Sequence, residues 1–298
     1  MNILVTGAWA DAVLHIPEIE KNGHKVFFLQ NEKASLPCGY DEVEAVICNG
    51  LFLYHDIESF KNLKYIQLTS AGYDRVPMDY VKKHGIEIFN AGGVYSIPMA
   101  EFALAGVLQL YKKLGSFYDN QKNHKWEKNR CILELNGKTV CIIGCGSVGT
   151  ECAKRFSAFG CKILGLDIFP MEKDFFDKIE AMEKLGDIVG QSDVAVLTLP
   201  LTEKTEHLIN EKTLSLFKKN SVVVNIARGK IIETQALVKA LQENLGGAVL
   251  DVFEDEPLGE DSPLWDFENV IITPHNSFVG DGNSQRLKNL IFKNLAGK

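Results

Sequence analysis

The stretch Val140-Cys141-Ile142-Ile143-Gly144-Cys145-Gly146-Ser147-Val148-Gly149 decides how this chain is read. A short apolar run meets three glycines spaced G-x-G-x-x-G. An amphipathic stretch follows, with Val148, Cys152, Phe156 and Phe159 expected on its inner face. Strand, glycine turn and helix in that order make a dinucleotide-binding unit. Gly144 permits the tight turn, Gly146 lets the backbone approach a pyrophosphate, and Gly149 lets the helix pack closely on the strand. The helix N-terminus then offers unpaired N–H groups and a favourable dipole to the phosphates. Asp167 stands 18 residues past Gly149, at the end of the next apolar run. An acid there accepts hydrogen bonds from the adenosine ribose hydroxyls and repels a 2′-phosphate. No arginine follows it in Ile168-Phe169-Pro170, so NAD is expected rather than NADP. A plain glycine turn beside a surface aspartate is the competing reading, and the joint placement of strand, helix and acid weighs against it.

Working outward, short β-rich runs alternate with amphipathic stretches along the whole chain, the pattern of parallel sheets with crossover helices. Upstream, strands are expected at Asn2–Val5, Lys25–Leu29, Ala45–Cys48, Tyr65–Leu68 and Glu87–Phe89, with helices such as Ala12–Lys21 and Met78–His84 between them. From the glycine loop onward come Thr139–Ile143, Lys162–Leu166, Val194–Leu199, Val222–Ile226, Ala248–Val252 and Val270–Thr273. These six are continuously apolar, as strands buried on both faces should be. Ser96 to Leu114 reads as one long linking helix. Asn283 to Ala296, with Leu287, Leu290, Ile291 and Leu295 on one face, reads as a helix returning to the first domain. The expectation is an α/β protein of two open parallel-sheet domains. A smaller flavodoxin-like substrate domain takes residues 1–93 plus 279–298, and a Rossmann dinucleotide-binding domain takes 94–278.

Composition excludes several classes. With 298 residues, 46% hydrophobic and 24% charged, the chain is neither disordered nor fibrous. Its net charge of −7, without any basic stripe, argues against nucleic acid as a partner. The most apolar window, Val94 to Leu110, contains Ser96, Pro98 and Glu101 and falls short of the roughly 20 apolar residues that span a bilayer, so no membrane partner is expected. The N-terminus runs straight into a strand pattern without a signal-peptide h-region. The seven cysteines show no CxxC spacing, which leaves neither a zinc site nor a disulfide framework. A cytoplasmic protein with a small-molecule substrate is expected.

Ligands of an open α/β sheet bind beyond the carboxyl ends of its strands, and three of those ends carry unusual groups. They are Ala227-Arg228-Gly229, Asp251-Val252-Phe253-Glu254-Asp255-Glu256-Pro257-Leu258 and Thr273-Pro274-His275. Arginine offers a bidentate fork for a substrate carboxylate. A histidine can pass the proton of a carbinol, and a carboxylate behind it orients the ring and stabilises its charged form. Each group alone has a bland reading: Arg228 as a structural ion pair, His275 as an ordinary histidine, the acidic run as a solvated loop. Together, beside a nicotinamide, they point to hydride transfer coupled to proton transfer.

In these residues the chain resembles the D-isomer-specific 2-hydroxyacid dehydrogenases. The resemblance covers nearly its whole length. It is carried by Leu68-Thr69-Ser70-Ala71-Gly72-Tyr73-Asp74, by Glu134-Leu135-Asn136-Gly137-Lys138-Thr139-Val140 leading into the glycine loop, by Leu199-Pro200-Leu201-Thr202, by Val224-Asn225-Ile226-Ala227-Arg228-Gly229, and by the two later strand ends. The resemblance implies NAD-dependent interconversion of a 2-oxo and a D-2-hydroxy acid. Arg228 would bind the substrate carboxylate, His275 would be the acid/base and Glu256 its partner, with Glu254 a neighbour. Ser147 and Val148 would lie against the pyrophosphate, Ile226, Ala227 and Asp251 near the nicotinamide, and Pro200 beside the cofactor. Backbone N–H groups of Ala71 and Gly72 would hold the substrate carboxylate. A homodimer formed through the nucleotide domain is also implied.

The chain departs from the family where Asn276-Ser277-Phe278 follows the histidine in place of the usual small residues, and in a short stretch after the last helix. Family members with phosphorylated substrates place an arginine near the end of the third strand. Here Cys48-Asn49-Gly50-Leu51-Phe52-Leu53-Tyr54 offers an uncharged, partly apolar lining, which points to a small or apolar 2-oxo acid. A non-catalytic NAD(H)-sensing protein on the same fold, and a hydride enzyme for another acid such as formate, are the competing readings.

Overall fold

Residues 1–298 are described by a computed structural model, in which the chain divides into two compact units, Met1–Tyr95 with Gly280–Lys298, and Ser96–Val279. The first unit is built on β1 (Asn2–Thr6), β2 (Lys25–Leu29), β3 (Ala45–Cys48), β4 (Tyr65–Leu68) and β5 (Glu87–Phe89). These pair in parallel in the order β2-β1-β3-β4-β5, the flavodoxin-like order. The helix Asn283–Leu295 belongs to this unit. Its Leu287, Ile291 and Leu295 pack into one core cluster with Ile3, Val5, Trp9 and Ile19. Arg286 Nε donates to the Val94 carbonyl at 2.7 Å, and Asn294 Nδ2 donates to Gln67 Oε1 at 2.9 Å. The return of the last helix to the first unit therefore rests on an apolar stripe and two polar ties.

The second unit holds β6 (Thr139–Ile143), β7 (Lys162–Asp167), β8 (Lys178–Ala181), β9 (Val194–Leu197), β10 (Val222–Asn225), β11 (Gly247–Leu250) and β12 (Val270–Ile272), all parallel, ordered β12-β11-β10-β9-β6-β7-β8. Strands are added to one side of β6 up to β8 and to its other side from β9 onward, so the strand order switches between β6 and β9. Alternate residues of a strand point to opposite faces. Cys141 and Ile143 accordingly enter one core and Val140 and Ile142 the other. Burial on both faces is why the central strands β6, β9, β10 and β11 are mostly apolar.

Three expectations are corrected. The second sheet has seven strands, not six. The added β8 is an edge strand, Lys-Ile-Glu-Ala, too short and too polar to announce itself. The linking helix is not continuous to Leu114. It ends at Tyr111, Lys113 turns left-handed at φ 54°, and a separate helix runs Leu114–Lys122. The reason lies in packing: Ala100, Ala103, Val107 and Tyr111 seat the first helix on the sheet, whereas the second buries nothing. Phe159 is also not on the inner face of the helix Ser147–Ala158. It follows the helix end and is exposed, while Cys152, Ala153 and Phe156 are buried.

Candidate active site

The glycine loop is shaped by close approach of backbone to backbone. Gly144 has φ 97°, and a Cβ on it would lie 2.8 Å from the Leu199 nitrogen. A Cβ on Gly149 would lie 2.2 Å from the Gly144 carbonyl oxygen. Gly146 is different, since nothing stands within 4 Å of the Cβ position. It is the N-cap of the helix Ser147–Ala158, which no side chain caps. Ser147 is exposed at the helix start and Val148 is half-buried. An uncapped helix start with open space over its first glycine fits a pyrophosphate.

Asp167 braces this loop as well as ending β7. Its Oδ2 accepts from the Cys145 N–H at 2.8 Å and its Oδ1 from the Phe169 N–H at 3.0 Å. Lys173 donates to the Cys145 carbonyl from the other side. No pattern in the sequence marks Lys173, because the link depends on an irregular chain folding back. Burial, with the Asp167 carboxylate beside it, pushes the Cys145 thiol up to about 12, so it fills space as a neutral group. Pro200 is exposed in the loop after β9, its carbonyl accepting from Thr205 Oγ1 at 2.7 Å.

The ends of β10, β11 and β12 carry the remaining groups. Buried Asn225 shapes the first turn: its Oδ1 accepts from the Ala227 N–H at 3.1 Å, and its Nδ2 donates to the Arg228 carbonyl at 3.0 Å. Arg228 Nη1 donates to the Ala227 carbonyl at 2.8 Å. The side chains of Ile226 and Ala227 are buried, so their backbone is what they can present to a cofactor. A Cβ on Gly229 would lie 1.8 Å from the Phe253 carbonyl oxygen, so the Arg228 turn and the acidic loop meet backbone to backbone.

In the acidic loop, Glu256 Oε1 accepts from the Phe253 N–H at 3.0 Å and its Oε2 lies 2.8 Å from His275 Nδ1. Glu254 faces elsewhere. Its Oε1 lies 2.6 Å from His207 Nε2, and its Oε2 accepts from the Thr234 N–H at 2.7 Å. His275 is left-handed, φ 51°, an uncommon backbone for a residue with a Cβ. Asp251 holds it there. The carboxylate is fully buried, with Oδ1 accepting from Thr273 Oγ1 (2.7 Å) and the Asn276 N–H (2.8 Å), and Oδ2 from the Ser277 N–H (2.9 Å). The Asp251 carbonyl accepts from the His275 N–H at 2.8 Å. Asp251 thus fixes the histidine turn, a task that its position after β11 did not reveal. Phe278 meets the His275 ring edge-on, with centroids 6.1 Å apart at 85°.

Ala71 and Gly72 lie in the first unit, after β4, where Asn90 Nδ2 donates to the Ala71 carbonyl at 2.6 Å and Ser70 Oγ to that of Gly72 at 3.3 Å. Residues 49–54 after β3 carry no charged side chain of their own, but a carboxylate from another loop is bound to them. Glu32, from the loop after β2, accepts from the Asn49 and Gly50 N–H groups at 2.8 Å each and from Thr6 Oγ1 at 2.8 Å. The acid precedes that segment by 17 residues, beyond any local pattern.

A parallel sheet with a dinucleotide loop, and a histidine–glutamate pair at neighbouring strand ends, define a nicotinamide-dependent oxidoreductase. Residues 104–277 match the model of the D-isomer specific 2-hydroxyacid dehydrogenase NAD binding domain. A glyoxylate reductase of Thermofilum pendens is 37% identical over 247 residues, 80% of this chain and 73% of that protein. A D-3-phosphoglycerate dehydrogenase of Methanocaldococcus jannaschii is 36% identical over 222 residues, 74% of this chain and 42% of that protein. The crystal structure of D-lactate dehydrogenase from Aquifex aeolicus, complexed with NAD and lactic acid, matches with a TM-score of 0.80 at 29% identity, covering 99% of this chain and 94% of that one. The chain belongs to the D-isomer specific 2-hydroxyacid dehydrogenase family, and its activity is of the NAD-dependent hydroxyacid dehydrogenase type.

Proposed function

We propose that this enzyme reversibly reduces a small, unphosphorylated 2-oxo acid to the D-2-hydroxy acid, with His275 as acid/base, Glu256 as its partner and Arg228 as the substrate-carboxylate ligand. The observation that carries the reading is the 2.8 Å contact between His275 Nδ1 and Glu256 Oε2 at the end of β12. With Nδ1 held there, Nε2 is the ring nitrogen left to give a proton to the carbonyl oxygen as it becomes an alkoxide, and to take it back in oxidation. The Glu256 carboxylate orients the ring through Nδ1 and, as a negative charge, stabilises the imidazolium. Arg228 fixes the carboxylate bidentately and so sets the angle of the carbonyl. Gly144, Gly146, Ser147, Val148 and Gly149 would hold the pyrophosphate, and Asp167 the ribose hydroxyls, by its oxygen lone pairs not used by Cys145 and Phe169. The bound nicotinamide supplies or accepts the hydride. The Glu32 carboxylate, held against the loop after β3 from the loop after β2, is a fixed negative charge that disfavours a phosphorylated substrate.

A panel of 2-oxo acids assayed with NADH and with NADPH tests this reading. Turnover is expected with small acids, much faster with NADH, and Asp167→Ala should narrow that gap. Arg228→Lys should raise KM for the acid and lower kcat, since one ammonium lacks the planar fork, while NADH affinity holds. NADH binding without any turnover would favour a sensor instead. Collapse of NADH binding in Arg228→Lys with an unchanged KM for the acid would remove Arg228 from substrate binding.

The reading extends to a homodimer in the cytoplasm, a compartment in which the seven cysteines remain thiols. Leu114, Tyr118, Trp126, Ile132 and Leu133 are all exposed, Trp126 at 95%, and exposed apolar groups clustered in sequence favour a partner surface. Sedimentation should give twice the 33.2 kDa chain mass, and Trp126→Asp should shift it toward one chain. No helix is long and apolar enough to cross a membrane.

A further inference from the structure

One loop presents two acids to two histidines. Glu256 faces His275, and two positions earlier Glu254 faces His207 at 2.6 Å. His207 sits in the segment after β9 with a left-handed backbone, φ 48°. Its N–H donates to the Lys230 carbonyl at 2.8 Å, and its own carbonyl accepts from Asn210 Nδ2 at 2.9 Å. Two residues on, Ile209 donates to the Ile231 carbonyl at 3.0 Å and forms a parallel bridge with Ile232. The other oxygen of Glu254 takes the N–H of Thr234, first residue of the helix Thr234–Glu243. A single carboxylate therefore gathers the segments that follow β9, β10 and β11. Burial alone would raise the Glu254 carboxyl. The hydrogen bonds from Thr234 and the His207 contact outweigh it and hold the group below the usual carboxylate range, so it is ionised at neutral pH.

The backbone around Glu254 is equally constrained. The Gly229 Cα is pressed against Phe253 and Glu254, and a Cβ there would lie 2.5 Å from the Glu254 nitrogen. The Phe253 N–H is in turn the donor to Glu256 Oε1. Any shift of residues 253–254 thus reaches Glu256 through both the covalent chain and this bond. We infer that His207 is a positioning residue: through Glu254 it sets the place of Glu256 and so maintains the Glu256–His275 contact, without touching the reacting atoms. The inference rests on the acid/base reading of that pair.

The test is the pH profile of 2-oxo acid reduction by the full-length enzyme, read with kcat, KM and NADH affinity. In His207→Ala the loop loses its pin, the imidazolium of His275 loses support, and the midpoint of the profile should move to lower pH. The move should have the direction of that in Glu256→Gln, with a smaller size. kcat should fall about tenfold, less than the roughly 100-fold of a full ångström misplacement, with NADH affinity within about twofold, as expected for a residue outside the cofactor loop. His207→Gln, whose amide N–H can still reach Glu254, should restore most of the loss. In the Glu256→Gln background His207→Ala should move the midpoint no further. Loss of a merely nearby positive charge would move it upward, so the sign separates positioning from simple electrostatics. His207→Asn keeps a residue tolerant of the left-handed backbone but too short for Glu254, and serves as the test if His207→Ala does not fold. A normal profile and kcat in these variants, alongside a shifted Glu256→Gln, would overturn the inference and leave the acid/base reading intact. Additive shifts in the double variant would also overturn it. An unshifted Glu256→Gln would bring down both.

Discussion

His275→Ala is expected to lower kcat for 2-oxo acid reduction by about 100-fold or more, the scale of general acid–base catalysis, while NADH still binds. The two effects separate because the histidine and the glycine loop sit on different strand ends and share no hydrogen bond. Reduction consumes a proton, so in the native enzyme its rate should fall as pH rises. Oxidation needs the neutral ring and should rise over the same window. Glu256→Gln keeps an acceptor for Nδ1 and removes the charge, so both transitions should move to lower pH. Stopped-flow NADH oxidation with the 2-oxo acid, and NAD reduction with the 2-hydroxy acid, each across about pH 5–9 (the range around ordinary histidine), would measure both. Retention of the native kcat by His275→Ala would exclude the histidine as the proton donor.

Gly149→Ala should remove dinucleotide binding and weaken the fold at once. The new Cβ would sit 2.2 Å from the Gly144 carbonyl oxygen and 3.1 Å from Ile142 Cγ2 and Thr198 Oγ1. The nearest of these is backbone, with no rotamer to give way, so the helix must lift from β6 and carry the phosphate-binding turn with it. Overpacking of this kind costs about 1–3 kcal/mol, which for a domain of this size lowers Tm by several degrees. NADH affinity should fall on the order of 100-fold as the helix N-terminus leaves its position, by analogy with other ångström-scale misplacements. Gly146→Ala is the control. With nothing within 4 Å of its Cβ, the variant should keep its Tm and lose only NADH affinity, through a clash with the pyrophosphate. Native NADH affinity in Gly146→Ala would move the pyrophosphate away from this loop.

Much of this was open to reading from local pattern. Strands such as Val194–Leu197 and Val222–Asn225 are buried on both faces, and such burial favours apolar side chains up to the strand end, where Asn225 is held by its own turn, so each announces itself within four or five residues. The glycine loop is equally local, since its requirements are set by a turn and by the backbone of the next helix. The places of Arg228, Glu256 and His275 after β10, β11 and β12 were legible because strand ends follow from strands, and ligands of such sheets collect there.

Other features stayed hidden because they depend on partners distant in the chain. The Lys178–Ala181 strand pairs with β7 across the irregular chain between them, where Gly165 leaves room for Ile179, a Cβ there lying 2.9 Å from Ile179 Cγ1. The acidic run Glu254-Asp255-Glu256 gives no sign of which acid meets which histidine. Glu256 reaches His275 across 19 residues and Glu254 reaches His207 across 47, and only the parallel order β9-β10-β11-β12 brings those segments side by side. Likewise no local pattern signals that the Asp251 carboxylate accepts from the N–H groups of Asn276 and Ser277, a link made only when β11 pairs with β12. Solvent-driven patterning is written into each segment alone, because burial acts on every residue separately. Hydrogen-bond partnership between loops is a property of pairs, and it comes into being only when the sheet sets their distance.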